Sequence, residues 1–192
     1  IRYVSASGGS TNAVLHLMAC ASLMEVGMTL DAFGKIQASV PVVGKFKPSS
    51  EVNLTDFHEA GGVLALMGAI KNYLHLDVEF PMGGRLREYL ESRAEPDGKI
   101  IRAAGNPLEE GGCFAILRGN LAPDGAVVKK TGVEPGMLRH RGEAVVFDSE
   151  EDVRKFLLHR TVKPGSVLVV RYEGPKGGPG MRELSIPAAM LV

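Results

Sequence analysis

A glycine turn followed by hydroxyl side chains is the first feature of the sequence that could do chemistry. Residues 7–12 read SGGSTN and lead into an uncharged apolar stretch that is typical of a helix. Backbone N–H groups at a helix N-terminus favour a bound carboxylate or phosphate, and Ser10, Thr11 and Asn12 add polar side chains. The turn is therefore a candidate anion site. The alternative is a plain turn with a helix cap, because the spacing matches neither the Walker A nor the dinucleotide-binding fingerprint.

A second candidate is the loop at residues 172–183, YEGPKGGPGMRE, which follows a strand-like run. Its glycines and prolines favour a shaped loop whose backbone can approach a ligand closely. The loop carries Glu173, Lys176 and Glu183, so acidic and basic groups are both available. The alternative is a long surface connection with solvated charges.

The histidines and cysteines do not form a metal-binding pattern. The five histidines show no i, i+4 pair on a helix, and the two cysteines, Cys20 and Cys113, lie far apart in the sequence. An iron–sulfur cluster needs about three or four protein ligands, so these cysteines alone cannot hold one. We expect both thiols and His16 to be buried among apolar neighbours, in a protein of a reducing, cytoplasmic setting.

The elements that must position these residues change character along the chain. The first part predicts helices at residues 10–26, from residue 29 to before Pro41, at 55–70 with a break at the glycine pair 61–62, and at 85–92. The helix at 10–26 is apolar almost all round, which indicates full burial. From residue 109 onward the sequence predicts four short strands and one helix at 150–159, capped by Ser149. We expect a mixed α/β fold with domains at residues 1–109 and 110–192.

Composition excludes several classes of protein. The chain has 192 residues, 45% hydrophobic and 23% charged, with 22 basic and 22 acidic side chains. These values are typical of a globular domain and argue against a collagen, a disordered chain or a general nucleic-acid binder. The chain opens on a strand-like run at residues 1–4 and stops inside an apolar run, so we expect a segment of a longer protein.

Four motifs, in order, resemble the dihydroxy-acid and sugar-acid (phosphogluconate) dehydratase family, and within it the dihydroxy-acid dehydratases most. They are SGGSTNAVLHL at residues 7–17, DFHEAGGV at 56–63, LRGNLAPDG at 117–125 and RYEGPKGGPGM at 171–181. The resemblance covers nearly the whole chain. It implies the helical end of an N-terminal α/β/α domain, followed by part of a β-barrel-like swivelling domain.

The same resemblance implies a hydro-lyase that converts 2,3-dihydroxy carboxylic acids to 2-keto acids in branched-chain amino-acid biosynthesis, and that forms a homodimer. Family members use an iron–sulfur cluster, Mg²⁺ and a catalytic serine. The resemblance places the cluster cysteines and the serine outside this segment, which should be inactive alone. It assigns Glu183 as a Mg²⁺ ligand and Ser10, Thr11, Asn12 and Lys176 to substrate binding.

Other interpretations stay open at this point. A sugar-acid dehydratase acting on 6-phosphogluconate or an aldonate would need extra basic groups near the phosphate, and Lys176 and Arg182 could supply them. A non-catalytic anion-binding module would use the two glycine-rich segments alone. A purely structural role would leave turnover insensitive to Glu183.

Overall fold

The computed structural model describes residues 1–91, 95–174 and 184–191, which form eight α-helices and four β-strands within those ranges. Short 3₁₀ turns lie at Lys71–Tyr73, Lys130–Gly132 and Pro135–Met137. The helices and strands are α1 (Arg2–Ala6), α2 (Thr11–Leu23), α3 (Leu30–Ala38), α4 (Leu54–Glu59), α5 (Gly62–Ala69), α6 (Leu86–Glu91), β1 (Phe114–Leu117), β2 (Ala126–Lys129), β3 (Ala144–Phe147), α7 (Glu150–His159), β4 (Val167–Val170) and α8 (Ser185–Met190).

Two apolar clusters stabilise the first compact unit, Ile1–Glu134. The second cluster joins α2 and α3 to the β1–β2 hairpin, whose antiparallel strands place Phe114 opposite Lys129. Each large apolar side chain that is fully buried stabilises the fold by about 1.5–3 kcal/mol, so these clusters are a main source of the unit's stability. The first cluster contains Ala6, Val40, Val43, Phe57, Ala65, Leu66, Ile70 and Ile101, and the second contains Val14, Phe33, Val42, Cys113 and Phe114.

A buried polar network ties the hairpin to α1 and α3. The Ser5 hydroxyl lies 3.1 Å from the Gln37 Oε1 and accepts a hydrogen bond from the Cys113 N–H at 3.1 Å. The Gln37 amide bonds both backbone groups of Phe114, as acceptor at 3.2 Å and donor at 3.0 Å. Gly112 has a φ of +76°, and a Cβ there would collide with the Gln37 side chain. Glycine is therefore required where the strand approaches α3.

The second compact unit, Pro135–Val192, is built on a parallel strand pair. Strands β3 and β4 pair in parallel, with Ala144 opposite Val167 and Phe147 opposite Val170. Parallel strands need a crossover connection, which α7 supplies. Phe147 packs edge-on against Phe156 of α7, with ring centroids 5.3 Å apart. Pairing with β4 along its whole length and the contact of Phe147 with α7 therefore hold β3 within this unit.

The predicted mixed α/β class and the four short strands are confirmed. The helix predicted at residues 55–70 is interrupted as expected, since α4 ends at Glu59 and α5 begins at Gly62, with Gly61 at a φ of +97°. The expectation of a strand at residues 1–4 is wrong, because Arg2–Ala6 forms the helix α1. The packing of Ser5 and Ala6 into the interior outweighs the weak local preference for extended structure.

The prediction that the first long helix, at residues 10–26, is fully buried is also wrong. Val14 is the buried residue of α2, whereas Leu15, His16 and Cys20 are exposed and Leu23 is 85% exposed. The described neighbours of α2 cover one side of it, so an apolar sequence does not by itself produce burial.

Within the described ranges, no helix is both long and apolar enough to span a membrane.

Candidate functional site

The glycine turn before α2 is shaped by close packing against α1. The N–H of Gly9 donates to the Val4 carbonyl oxygen at 2.8 Å, and Gly8 has a φ of +60°. A Cβ at Gly9 would lie 2.7 Å from Val4 Cγ1 and 2.8 Å from the Val4 oxygen. These separations are shorter than normal contacts, so a larger residue would push the turn away from α1. The turn thus holds Ser10 at a defined position.

Ser10 serves as the N-cap of α2. Its extended backbone has a ψ of 147°, and its Oγ accepts a hydrogen bond from the Asn12 N–H at 3.2 Å. Its carbonyl oxygen accepts the Ala13 N–H at 3.1 Å. The cap leaves the hydroxyl hydrogen of Ser10 available as a donor, because a hydroxyl both donates and accepts. Ser10 is exposed, and Thr11 and Asn12 are half-buried.

The electrostatics at this helix N-terminus favour a negative ligand. The first turn of α2 contains no acidic side chain. The positive end of the helix dipole, together with the hydroxyls of Ser10 and Thr11, presents donors and partial positive charge on one side of the turn. The predicted residues Ser10, Thr11 and Asn12 are therefore together at one helix N-terminus, in an arrangement that can bind an anion.

Two lysines that the sequence analysis did not single out lie near this turn. The Cα of Lys45 is 3.6 Å from the position that a Cβ on Gly8 would take. Lys129 ends β2, and Val127 of the same strand packs in the cluster that contains Val14 of α2. Burial lowers the pKa of Lys129, and the positive charge of Lys45 lowers it further. Nothing in the local sequence places them together, because residues 45 and 129 meet only in the folded chain.

Cys113 lies behind the turn as a neutral thiol. Its side chain is 0% exposed, and its Sγ is 3.9 Å from the Val4 oxygen. Burial raises the pKa of Cys113 to about 11, and the Ser5 hydroxyl and the Gly9 N–H offset part of that rise. The prediction of a buried, inert Cys113 agrees with this environment. Cys20 and His16 were predicted to be buried and are exposed, so those two predictions are wrong.

The loop at residues 172–183 falls mostly outside the described residues. Lys176 and Glu183, with the predicted roles in substrate and Mg²⁺ binding, lie outside them, as does Arg182. Glu173 is described, and its Oε1 accepts the Glu150 N–H at 2.8 Å at the beginning of α7. The sequence had suggested an acid within a ligand loop, and the structure shows a contact with a helix.

The described residues do not fit a metal cluster. Among residues 1–91, 95–174 and 184–191, no group of three or more His, Cys, Asp or Glu side chains is close enough to hold a metal ion. The raised pKa of Cys113 opposes the thiolate form that an iron–sulfur ligand requires.

A surface cleft of about 520 Å³ lies elsewhere in the first unit, lined by residues of the segment 71–78 and by Arg87. Its charges are largely paired. Arg87 donates from Nε and Nη2 to the Asp77 carboxylate at 3.1 and 3.0 Å, and this bond lowers the pKa of Asp77. The cleft contains none of the residues predicted from the motifs, and the exposed ion pair gives it little attraction for a further charge.

Two family models cover almost the whole chain. Residues 1–89 match the model of the dihydroxy-acid/6-phosphogluconate dehydratase N-terminal domain. Residues 99–192 match the model of the dihydroxy-acid/6-phosphogluconate dehydratase C-terminal domain. Both halves of the sequence therefore match consecutive domains of one family.

Curated relatives carry a consistent name. A protein of Caldicellulosiruptor saccharolyticus named dihydroxy-acid dehydratase is 44% identical over 188 residues, which is 97% of this chain and 34% of the relative. Proteins with the same name from Clostridium botulinum and Dehalococcoides mccartyi are 44% and 41% identical over 93% and 97% of the chain, covering 33% and 34% of their own lengths. The chain spans about a third of the length of these relatives.

Proposed function

Because the chain belongs to the dihydroxy-acid/6-phosphogluconate dehydratase family, we propose that it is part of a hydro-lyase that removes water from a 2,3-dihydroxy carboxylic acid to give a 2-keto acid. The relatives named dihydroxy-acid dehydratase, at 41–44% identity, favour a branched substrate and a place in isoleucine and valine biosynthesis. The single observation that carries the proposal is this match along 97% of the chain.

In this proposal the N-terminus of α2 receives the substrate carboxylate. The helix begins at Thr11 without an acidic residue in its first turn, and the Ser10 and Thr11 hydroxyls can donate to carboxylate oxygens. The backbone of Lys45 lies against the glycine turn, with its Cα 3.6 Å from the Cβ position at Gly8. Removing a proton next to a carboxylate builds up negative charge, and fixed donors and cations stabilise such charge in the transition state. Asn12 is the third residue proposed to bind the substrate.

The cofactors belong to the proposal. An iron–sulfur cluster and Mg²⁺ supply Lewis-acid chemistry at the departing hydroxyl and the carboxylate in such a dehydration. We assign Glu183 as a Mg²⁺ ligand and Lys176 to substrate binding on the motif alone, since both lie outside the described residues. The cluster ligands and the catalytic serine are proposed to belong to parts of the full-length enzyme that this chain does not span.

The domain organisation is proposed on the same basis. We assign residues 1–109 to the N-terminal α/β domain and residues 110–192 to the C-terminal domain, with the unit around β3, α7 and β4 as part of its β-barrel-like fold. A homodimer and a reducing, cytoplasmic compartment remain expectations for the full-length enzyme.

The test is to express the full-length reading frame without oxygen and to measure 2-keto acid formation. The substrates are 2,3-dihydroxyisovalerate, 6-phosphogluconate and a pentonate, with the 192-residue chain as a control. Turnover of 2,3-dihydroxyisovalerate by the full-length enzyme alone supports the proposal. Preference for 6-phosphogluconate or the pentonate would assign the sugar-acid branch instead. No turnover of any of the three by a cluster-loaded enzyme would contradict the dehydratase assignment.

A further inference from the structure

Two lysines from distant parts of the sequence lie near the glycine turn that precedes α2. The Cα of Lys45 lies 3.6 Å from the Cβ position at Gly8. Lys129 is near Cys113: burial raises the pKa of Cys113 to about 11, and the positive charge of Lys129 and the N–H of Gly9 both oppose that rise. Cys113 thus lies between Lys129 and the turn. Both lysines therefore belong to the surroundings of the proposed anion site.

The side chain of Lys129 and the segment that follows Lys45 meet at Gly132. A Cβ at Gly132 would lie 3.9 Å from both Cγ and Cδ of Lys129 and 3.5 Å from the Ser49 Oγ. The Ser50 hydroxyl donates to the Lys45 carbonyl oxygen at 2.6 Å, which holds this segment in a tight loop. The stem of Lys129 therefore passes a short loop that begins at Lys45 and carries hydroxyl groups.

Neither lysine is neutralised within the described part of the chain. Both are half-buried, and no described acidic side chain forms an ion pair with Lys45 or Lys129. Burial lowers the pKa of Lys129, and the positive charge of Lys45 lowers it further. The next residue differs, since Lys130 donates from Nζ to the Glu110 and Gly111 carbonyl oxygens at 3.3 and 3.5 Å. Two half-buried like charges favour a bound anion, because it offsets both their desolvation and their repulsion.

A hydroxyl group next to Gly132 also lacks a partner. Thr131 is 4% exposed, and its Oγ1 is buried without a hydrogen-bond partner among the described residues. A buried hydroxyl without a partner costs free energy, and a hydroxyl can donate to an anion. The surroundings of Gly132 thus contain two kinds of donor, the Lys129 ammonium and the Thr131 hydroxyl, that form no hydrogen bond with the described chain.

We propose that Lys129, together with Lys45, binds the carboxylate of the substrate beside the glycine turn. The two ammonium groups supply full positive charges, whereas the helix dipole and the hydroxyls of Ser10 and Thr11 supply partial charges and donors. The lysines determine specificity for an acid over a neutral diol, because a hydrogen bond between charged groups is stronger than one to a neutral group. The inference rests on the proposed function, and it adds two residues that none of the four sequence motifs contains.

The test measures the binding of a carboxylate to the full-length protein by isothermal titration calorimetry. Isovalerate is the probe, because it has the carboxylate and the branched chain of the dihydroxy acid without the hydroxyl groups that react. Isovaleramide is the neutral control of nearly the same shape. Lys129→Met and Lys45→Met remove the charge and keep most of the apolar stem, and Lys129→Arg keeps the charge. Lys130→Met is the matched control, because the Lys130 ammonium binds backbone oxygens instead.

We expect Lys129→Met to raise the Kd for isovalerate and the KM for 2,3-dihydroxyisovalerate about 10-fold, and Lys45→Met to raise each at least about threefold. The kcat should stay within about threefold, because binding that is lost equally from the ground state and the transition state raises KM alone. Lys129→Arg and Lys130→Met should stay within about threefold of the parent in Kd and KM. The Kd for isovaleramide should change in none of the variants, whereas a merely structural role would weaken the binding of both probes.

The outcomes separate the two proposals. If the parent enzyme turns over 2,3-dihydroxyisovalerate but Lys129→Met keeps the parent Kd for isovalerate, the role of the lysines is overturned and the proposed function stands. Equal weakening of isovalerate and isovaleramide also overturns that role, since shape and not charge would then matter. A parent enzyme that holds its cluster and turns over no dihydroxy acid overturns the proposed function. In that case, a selective loss of isovalerate binding in Lys129→Met would still support a carboxylate site at the lysines, and a parent that binds no isovalerate would overturn it.

Discussion

The N-termini of α2 and α7 begin in the same way and differ in charge. Each helix has a serine N-cap in extended conformation: Ser10 accepts the Asn12 N–H at 3.2 Å, and Ser149 accepts the Asp152 N–H at 3.1 Å. The first turn of α2 contains no acidic residue, whereas that of α7 contains three, and Glu173, three residues after the end of β4, adds a fourth carboxylate. The same capping rule thus produces one helix end that favours an anion and one that the chain satisfies itself.

This difference separates the two glycine-rich motifs of this chain. The first motif presents the positive end of a helix dipole with no acidic residue in the first turn, and so is suited to bind an anion. In the second motif Glu173 bonds the beginning of α7, whose first turn already contains three acidic residues and is not suited to a further anion. A glycine-rich sequence alone does not distinguish these two uses, because the distinction depends on which side chains reach the helix from elsewhere.

The largest expected effect tests whether the two glycine segments differ in packing. Gly9→Ala would place a Cβ 2.7 Å from Val4 Cγ1, so we expect a loss of about 2–4 kcal/mol in the free energy of unfolding. Gly174→Ala is the matched control, because no described atom lies within 4 Å of its Cβ position, and its effect should stay below about 1 kcal/mol. Thermal unfolding of both variants of the full-length enzyme measures the difference. Equal losses would show that the turn at Gly9 is no more closely packed than the segment at Gly174.

A second test asks whether the Cys113 thiol, which lies behind the glycine turn at the beginning of α2, is neutral. Burial raises the pKa of Cys113 from its ordinary value of 9.0 to about 11, so the thiol is neutral at pH 8 and becomes a thiolate only as the pH rises through 11. A pKa about two units higher lowers the thiolate fraction of Cys113 at pH 8 about 100-fold. The difference in ultraviolet thiolate absorbance between the full-length enzyme and its Cys113→Ser variant, followed as the pH rises, measures this ionisation without a reagent having to reach the buried sulfur.

The control for this measurement is the same absorbance difference in the urea-unfolded enzyme, which should inflect near the ordinary thiol pKa. A native signal that also inflects near pH 9 would contradict the raised pKa of Cys113. About a tenth of the thiol behind Gly9 would then be thiolate at pH 8, and the contrast with α7 would weaken.

A third test gives α2 the charge that α7 carries. Thr11→Asp places a carboxylate in the first turn, which should stabilise the helix by about 0.3–1 kcal/mol through the dipole. The same carboxylate repels the substrate carboxylate, so we expect KM for 2,3-dihydroxyisovalerate to rise about 30-fold, equivalent to about 2 kcal/mol of binding. Steady-state kinetics and the melting temperature of the full-length enzyme measure the two effects.

Thr11→Asn is the matched control, since it has nearly the same shape as aspartate without the charge. Its KM should stay within about threefold of the parent value. If Thr11→Asp binds the substrate as well as Thr11→Asn does, the anion does not bind at this helix end, and the comparison with α7 has no functional meaning.

The local features of both helix ends could be predicted from the sequence, and their surroundings could not. Ser149 as a cap, the break between α4 and α5 and the four short strands follow from local preferences and periodicity. The exposure of Cys20 could not be predicted, because an uncharged helix indicates apolar neighbours without saying whether the chain supplies them. This chain spans about a third of the length of its relatives, and its described residues cover one side of α2.

The contacts that distinguish the two sites are long-range. Lys45 meets the turn at Gly8, and Glu173 reaches Glu150 across 23 residues. Motif spacing placed Ser10, Thr11 and Asn12 together because they are consecutive on one helix end. It could not assign Glu173 to a helix, because that contact depends on the parallel register of β3 and β4.

The smallest expected effect concerns the caps themselves. Ser10→Ala and Ser149→Ala each remove one side-chain acceptor from a helix N-terminus, and each should cost about 1 kcal/mol in the free energy of unfolding.

The two variants should differ in kinetics. Ser10→Ala also removes a proposed donor to the substrate and should raise KM about fivefold to tenfold, a loss of about 1–1.4 kcal/mol in binding. Ser149→Ala should leave KM unchanged, because Glu173 still binds the beginning of α7. A KM that rises equally in both variants would contradict the division of roles, since a general loosening of the fold would then explain both. Steady-state kinetics at matched folded fraction therefore decides whether the exposed cap of α2 contacts the substrate.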